Sequence, residues 1–493
     1  MPTFPKTRTF VGDFAPIRIE ADVEDLEFEG KLPTDLNGAF YRVQPDPHFP
    51  PLLGDDQIFN GDGMISMFRF KNGRVNLKQR WCRTDKWKLE KEAGRALFGA
   101  YRNPLTDDPS VKGKYRGTAN TNAFFHGGLL FGLKEDSPAV AMDPNTLETL
   151  GSWDFGGQVT SPTFTAHPKI DPVTGDMCAF GYAAKGLLTR DMVYYEIGAD
   201  GKKKKEVWFE IPYYCMMHDF GVTKDYALFH VVPIVSSWER LRAGLPHFGF
   251  DTTKEVHLVV LPRNGAAKDI KVFTAPNCFA SHVMNAFNDG TKIYFDTPQA
   301  KNNMFPFFPD VNGAAFNPVE AQPRLTRWSV DMSKSTPAFD SQEVLADFVG
   351  DFPRMDNRYA SEPYRHGWML ELGMSPGARS TLGHIDTQTG KVKSWHAGET
   401  RFLQEPCFIP QSKNAAEGEG YLVQLQPHKD DGNSDLLIFD ALHIDEGPLT
   451  TIHIPLRMRY GLHGNWVDGA DLDRAAHVAA DREALINSPL PRS

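Results

Sequence analysis

Residues 65–81 read ISMFRFKNGRVNLKQRW, two alternating apolar runs joined by Asn72 and Gly73. Alternation at every second residue marks a strand with one face on a core, and Asn-Gly supplies the two positive-φ residues of a tight hairpin turn. The pattern recurs over 192–211, where Asp200 and Gly201 separate two strand-like runs. Further short apolar runs rich in β-branched and aromatic residues lie at 129–133, 226–232, 256–261, 292–297, 325–331 and 435–440. Helical periodicity is scarce: 86–98 and 470–486 carry it, and 237–243 predicts a short turn of helix. The chain therefore predicts an all-β fold.

A weak internal echo points to repeated hairpins. AMDPNTLETLGSW (141–153), KIDPVTGDMCAFGY (169–182) and HIDTQTGKVKSWHAG (384–398) each place an Asp-x-x-Thr turn between two apolar segments. The Asp side chain of such a turn accepts backbone N–H groups and lets the chain reverse. The copies have no fixed period, so alone they leave a propeller, a pair of sandwiches or a large barrel open. No linker or low-complexity stretch divides the chain, and residues 1–493 are read as a single domain.

Bulk composition narrows the functional classes. Hydrophobic residues make up 41% and charged residues 24% of the chain, the balance of a globular protein with an ample core. A formal charge of −10 argues against affinity for nucleic acid or an anionic membrane. The basic run at 202–205 follows Asp200 and Gly201 and reads as a solvated turn. The five cysteines, Cys82, Cys178, Cys215, Cys278 and Cys407, are scattered and odd in number, which predicts no disulfide framework and a reducing, cytoplasmic setting. No signal peptide or spanning segment is expected, and no stretch predicts a nucleotide site.

Four of the sixteen histidines stand apart by their surroundings: His167 in TFTAHPKIDP, His218 in YYCMMHDFG, His282 in FASHVMNAF and His463 in YGLHGNWVDG. They are too far apart in sequence to form a local motif. Imidazole suits zinc, copper, iron and nickel alike, so histidine content alone leaves a tetrahedral zinc site open. The flanks of these four, together with IFNGDGMISMF (58–68), resemble the carotenoid cleavage oxygenase family, and within it the lignostilbene dioxygenase branch. The resemblance runs from Phe59 to Trp466.

The resemblance implies a seven-bladed β-propeller, with a few helices and long loops capping the active-site face. It implies that His167, His218, His282 and His463 hold one Fe(2+) ion. Four neutral imidazoles leave such an ion its full charge and vacant positions for dioxygen. It further implies carboxylate partners for three of them: Glu135 for His218, Asp351 for His282 and Glu405 for His463. His167 is left without one. Asp351 stands where glutamate is more usual, so its reach is one methylene shorter.

By the same resemblance Tyr101 and Lys134 bind the 4-hydroxyl of a phenolic stilbene, and Phe59 with Phe305 stacks on its rings. An ammonium beside a phenol draws it toward phenolate. Phe307 is one step away in the Phe-Pro-Phe-Phe run and competes with Phe305. The implied reaction is cleavage of the central C=C bond of lignostilbene or another 4-hydroxystilbene with O2, giving two aromatic aldehydes such as vanillin. The alternatives are an apocarotenoid-cleaving oxygenase with the same iron site and a ligand-binding propeller without catalysis. Relatives on this branch lead one to expect a homodimer.

Overall fold

The computed structural model describes residues 3–372 and 380–478. The opening hairpin forms as read: Gly63–Lys71 pairs with Arg74–Trp81, with Lys71 opposite Arg74. Asn72 and Gly73 between them have φ of 53° and 71°, the positive pair that a two-residue turn of this hand requires. Each of the other predicted strands is present within a few residues of its expected bounds.

Seven antiparallel units follow one another around the molecule. In chain order, blade one contains Asn122–His126 to Thr149–Trp153, blade two Lys169–Ile170 to Lys203–Glu210, and blade three Gly221–Val222 to Lys271–Ala275. Blades four and five share one long strand, Ser341–Met355, whose first part pairs with Arg324–Asp331 and whose last part pairs with His366–Glu371. Blade six runs from Cys407–Pro410 to Thr450–Ile454 and takes Phe28–Gly30 on its far edge. Blade seven joins the two ends of the described chain, because Gly464–Asp468 pairs with Gly38–Pro45. The fold is a seven-bladed propeller.

Every seam between blades is filled by apolar side chains. Phe131 and Ala179 meet between blades one and two, and Tyr194, Phe229 and Trp328 lie in the continuous cluster from blade two to blade four. Met284 and Met369 pack between four and five, Trp368 and Phe408 between five and six, Phe68 and Val423 between six and seven, and Tyr41 and Leu130 between seven and one. A blade packed on both faces buries both sets of side chains. That is why runs such as LLFGL and VHLVVL are continuously apolar rather than alternating.

The Asp-x-x-Thr echo is real at the level of the turn. Asp143, Asp171 and Asp386 each accept the backbone N–H groups of the residues two and three further on, through a single Oδ1. Asp143 and Asp386 turn between the third and fourth strands of their blades and Asp171 between the first and second, so the three copies keep no common period.

Helix content is small: Asp85–Ala93, Trp238–Arg242 and Gly469–Val478, with residues 479–486 of the last predicted helix outside the described residues. The first helix stops before residue 98 because Gly94 takes a left-handed cap at φ 67°. One expectation shifts: only Lys202 of the basic run lies in the turn. Lys203 opens the strand Lys203–Glu210 and pairs with Glu206, and Lys204 pairs with Asp176 at 2.7 Å. All five cysteines are buried and free. Among the described residues no helix is long and apolar enough to cross a membrane.

Candidate metal centre

Strands of adjoining blades touch one another: Gly221–Val222 meets Asn285–Asp289, and Gly464–Asp468 meets both Asn122–His126 and Cys407–Pro410. The four singled-out histidines each sit just before a strand: His167 before Lys169–Ile170, His218 before Gly221–Val222, His282 before Asn285–Asp289 and His463 before Gly464–Asp468. Residues far apart in sequence thus reach one point from blades two, three, four and seven. All four are buried or nearly so, and one ligand nitrogen from each lies within 4.8 Å of the others.

Geometry fixes which nitrogens face inward. The Nδ1–H of His218 donates to Glu135 Oε1 at 2.6 Å, that of His282 to Asp351 Oδ1 at 2.8 Å, and that of His463 to Glu405 Oε1 at 2.8 Å. A neutral imidazole with its proton on Nδ1 presents a bare lone pair at Nε2. The His218 and His282 Nε2 atoms nevertheless face each other at 3.1 Å, as do those of His167 and His218. Lone pairs converge in this way when a cation lies between them, so the donor set fits a metal ion. With metal–imidazole bonds of about 2.0–2.1 Å, ligands of one ion stand about 2.9 Å apart at a right angle and about 3.35 Å apart in a tetrahedron. The 3.1 Å spacing falls between these values, as a shared ion requires.

Burial and mutual repulsion favour the neutral form at His167 and His463. Desolvation and the three neighbouring rings hold His167 well below its ordinary range. Burial brings His463 down to about 4, with Glu405 opposing. At His282 burial also disfavours the charged form, but Asp351 outweighs it and the net shift is upward.

The short reach of Asp351 is met by the backbone. Its strand changes register between Asp351 and Arg354, and Phe352 takes φ 54°. Such a bulge re-aims side chains. Asp351 turns to His282, Phe352 packs against the His282 and His463 rings at 5.3 and 5.6 Å, and Arg354 donates to Glu405 Oε2 at 3.0 Å. Phe352 and Arg354 escaped the sequence reading; their only signal was closeness to Asp351 in VGDFPRMD.

Beside this cluster lies a second, aromatic site. Lys134 is buried directly before Glu135, its Nζ 5.0 Å from the Tyr101 ring centre, 5.8 Å from that of Phe59 and 3.8 Å from Glu135 Oε2. Burial disfavours its charge, yet Tyr101, Glu135 and Asp136 together raise its pKa, so it is an ammonium at neutral pH. Burial raises the Tyr101 phenol in spite of Lys134, so Tyr101 stays protonated. Arg102, buried behind them, stacks over Tyr182 and lies 3.6 Å from Asp136.

Phe59 is held by Asn120, whose Nδ2 donates to the Phe59 and Gly61 carbonyls. Gly63 is required by close approach: a Cβ there would stand 2.2 Å from the Ala119 carbonyl oxygen. The ring that meets Phe59 edge-on is Phe307, at 5.6 Å, with Phe305 stacked on Phe307 at 5.0 Å. Phe305 instead packs edge-on against Phe279 at 5.0 Å.

Comparison with known proteins agrees with this architecture. The family model described as retinal pigment epithelial membrane protein matches residues 14–468. Lignostilbene-α,β-dioxygenase isozyme III of Sphingomonas paucimobilis is 52% identical over 490 residues, covering 97% of this chain and 100% of the relative. Isoeugenol monooxygenase of Pseudomonas nitroreducens is 43% identical, covering 93% and 97%. The crystal structure of Pseudomonas brassicacearum lignostilbene dioxygenase matches with a TM-score of 0.92 at 42% identity, over 95% of this chain and 100% of that one. With this match across nearly its whole length and a four-histidine cluster at its axis, the chain belongs to the carotenoid oxygenase family, whose enzymes depend on iron.

Proposed function

We propose that this protein is an Fe(2+)-dependent, non-haem dioxygenase that cleaves the central C=C bond of lignostilbene or a related 4-hydroxystilbene, giving two aromatic aldehydes. The observation that carries the reading is the joining of two sites: four converging imidazole lone pairs, and a buried ammonium one residue from the carboxylate that orients His218. The names of the 52% identical relative and of the 42% identical solved structure support the substrate class.

In this reading His167, His218, His282 and His463 hold the ion, and Glu135, Asp351 and Glu405 fix three of the rings. When bound, iron supplies the site at which dioxygen is activated. The alkene's own four bonding electrons reduce O2, and one oxygen atom leaves in each aldehyde, so no external reductant is needed. Lys134 and Tyr101 both carry N–H or O–H donors and converge on one phenol oxygen. The Lys134 ammonium favours binding of the substrate as phenolate, its proton released to solvent, and the phenolate raises electron density at the double bond conjugated with the ring. Phe59 and the Phe305–Phe307 pair flank the flat substrate through offset and edge contacts. The protein works as one propeller unit in the cytoplasm, in line with its buried free cysteines, and the expected assembly is a homodimer.

The test is aldehyde release by the iron-loaded protein under air, from a 4-hydroxystilbene, its 4-methoxy analogue and an apocarotenoid. Aldehyde from the free phenol alone is expected. Cleavage of the methoxy analogue at an equal rate would remove the role given to Lys134 and Tyr101. Cleavage of the apocarotenoid alone would overturn the substrate class.

A further inference from the structure

His167 differs from the other three histidines in having no carboxylate hydrogen-bonded to its Nδ1 among the described residues. The carboxylate beside it is Asp219, with Oδ2 at 4.0 Å, too far for a hydrogen bond. Asp219 is itself buried and follows His218 in sequence. Its Oδ1 accepts from Lys169 Nζ at 2.7 Å and from the Phe220 backbone N–H at 2.7 Å, and its Oδ2 from the Val283 backbone N–H at 2.8 Å. Lys169 lies two residues after His167, Phe220 two after His218 and Val283 one after His282. A single buried carboxylate is therefore bonded to three of the four histidine-bearing loops, which come from three different blades.

We propose that Asp219 is a positioning residue of the metal centre. It clamps the His167, His218 and His282 loops at a common spacing, so that three of the four imidazoles are held where one ion can take them. Hydrogen bonds to an ionised acceptor are shorter and stronger than neutral ones, and three of them converge here. The proposal rests on the metal-centre reading and is independent of the substrate.

The test is iron affinity, measured by competition with a chelator, together with thermal melting with and without iron. D219N keeps the shape and removes the charge. The D219N/K169M double variant removes the cation that D219N would orphan and serves where the single variant fails to fold. Partners of metal ligands typically contribute about 10–100-fold in affinity, and a loss of that size is expected in both variants. The metal-free melting temperature should fall through the weakened clamp, and the further rise on adding iron should shrink as well. Iron affinity equal to the parent's in a folded variant would overturn the proposal, as would failure of both variants to fold. If the parent itself bound no iron, the metal-centre reading would fall instead.

Discussion

Glu135 and Glu405 both accept a hydrogen bond from the Nδ1 of a histidine in the cluster, but their second oxygens lead different lives. Glu405 Oε2 is tied down by the Gly464 N–H at 3.0 Å and by Arg354 at 3.0 Å. Glu135 Oε2 has no hydrogen-bond partner and stands 3.8 Å from Lys134 Nζ. The first carboxylate is locked into the scaffold. The second shares its cation with the site proposed to receive a phenol. A substrate phenolate that engages Lys134 also draws that ammonium's field away from Glu135, and so reaches His218. Under the proposed reading the two ends of the centre are unequal: Glu405 holds His463 from a locked carboxylate, whereas Glu135 links His218 to the Lys134 site.

The strongest way to break this asymmetry is at Lys134. K134M should lower 4-hydroxystilbene turnover by about 10²- to 10³-fold, the range of a lost electrostatic stabiliser, with iron content unchanged by metal analysis. Unchanged turnover would uncouple the phenol site from the metal. Next come the carboxylates themselves: E135Q and E405Q should each weaken iron binding by about 10- to 100-fold in chelator competition. The comparison sharpens if only E135Q also alters the KM for the phenolic stilbene. A smaller effect is expected from R354M, a loss of several-fold in iron affinity with that KM untouched; a change in KM there would show that the Glu405 end is not insulated.

The smallest expected effect is in pH dependence. In the metal-free fold His463 protonates only near pH 4, against 6.5 for a free imidazole, and His167 is shifted the same way. Between those values the unfolded chain binds more protons than the folded one. Stability is therefore fully present above about pH 6.5 and falls as the pH drops toward 4. Melting of the metal-free protein at pH 7 and pH 5 should show the loss, and iron should reduce it by holding the imidazoles neutral.

Much of this was legible in the sequence because it rests on local chemistry. Asn72-Gly73 specifies its hairpin, and the three Asp-x-x-Thr turns are written in contiguous residues. The three histidine–carboxylate pairs also appear in the structure as drawn from the resemblance. What escaped depends on contacts between blades. Asp219 reaches Lys169 and Val283, and Arg354 reaches Glu405, across sequence separations of about fifty residues or more that no local pattern encodes. The Phe305 ambiguity has the same origin, because which ring of 305–308 meets Phe59 is decided by a loop from another part of the chain.

Blade seven has a consequence for how the protein is made. His463 immediately precedes Gly464–Asp468, the strand that joins the late chain to Gly38–Pro45. The last imidazole and the closure of the ring therefore arrive together, after every other ligand has left the ribosome. The fourth donor and the seam that shuts the ring are supplied by one short stretch of chain, and a chain ending before it would lack both.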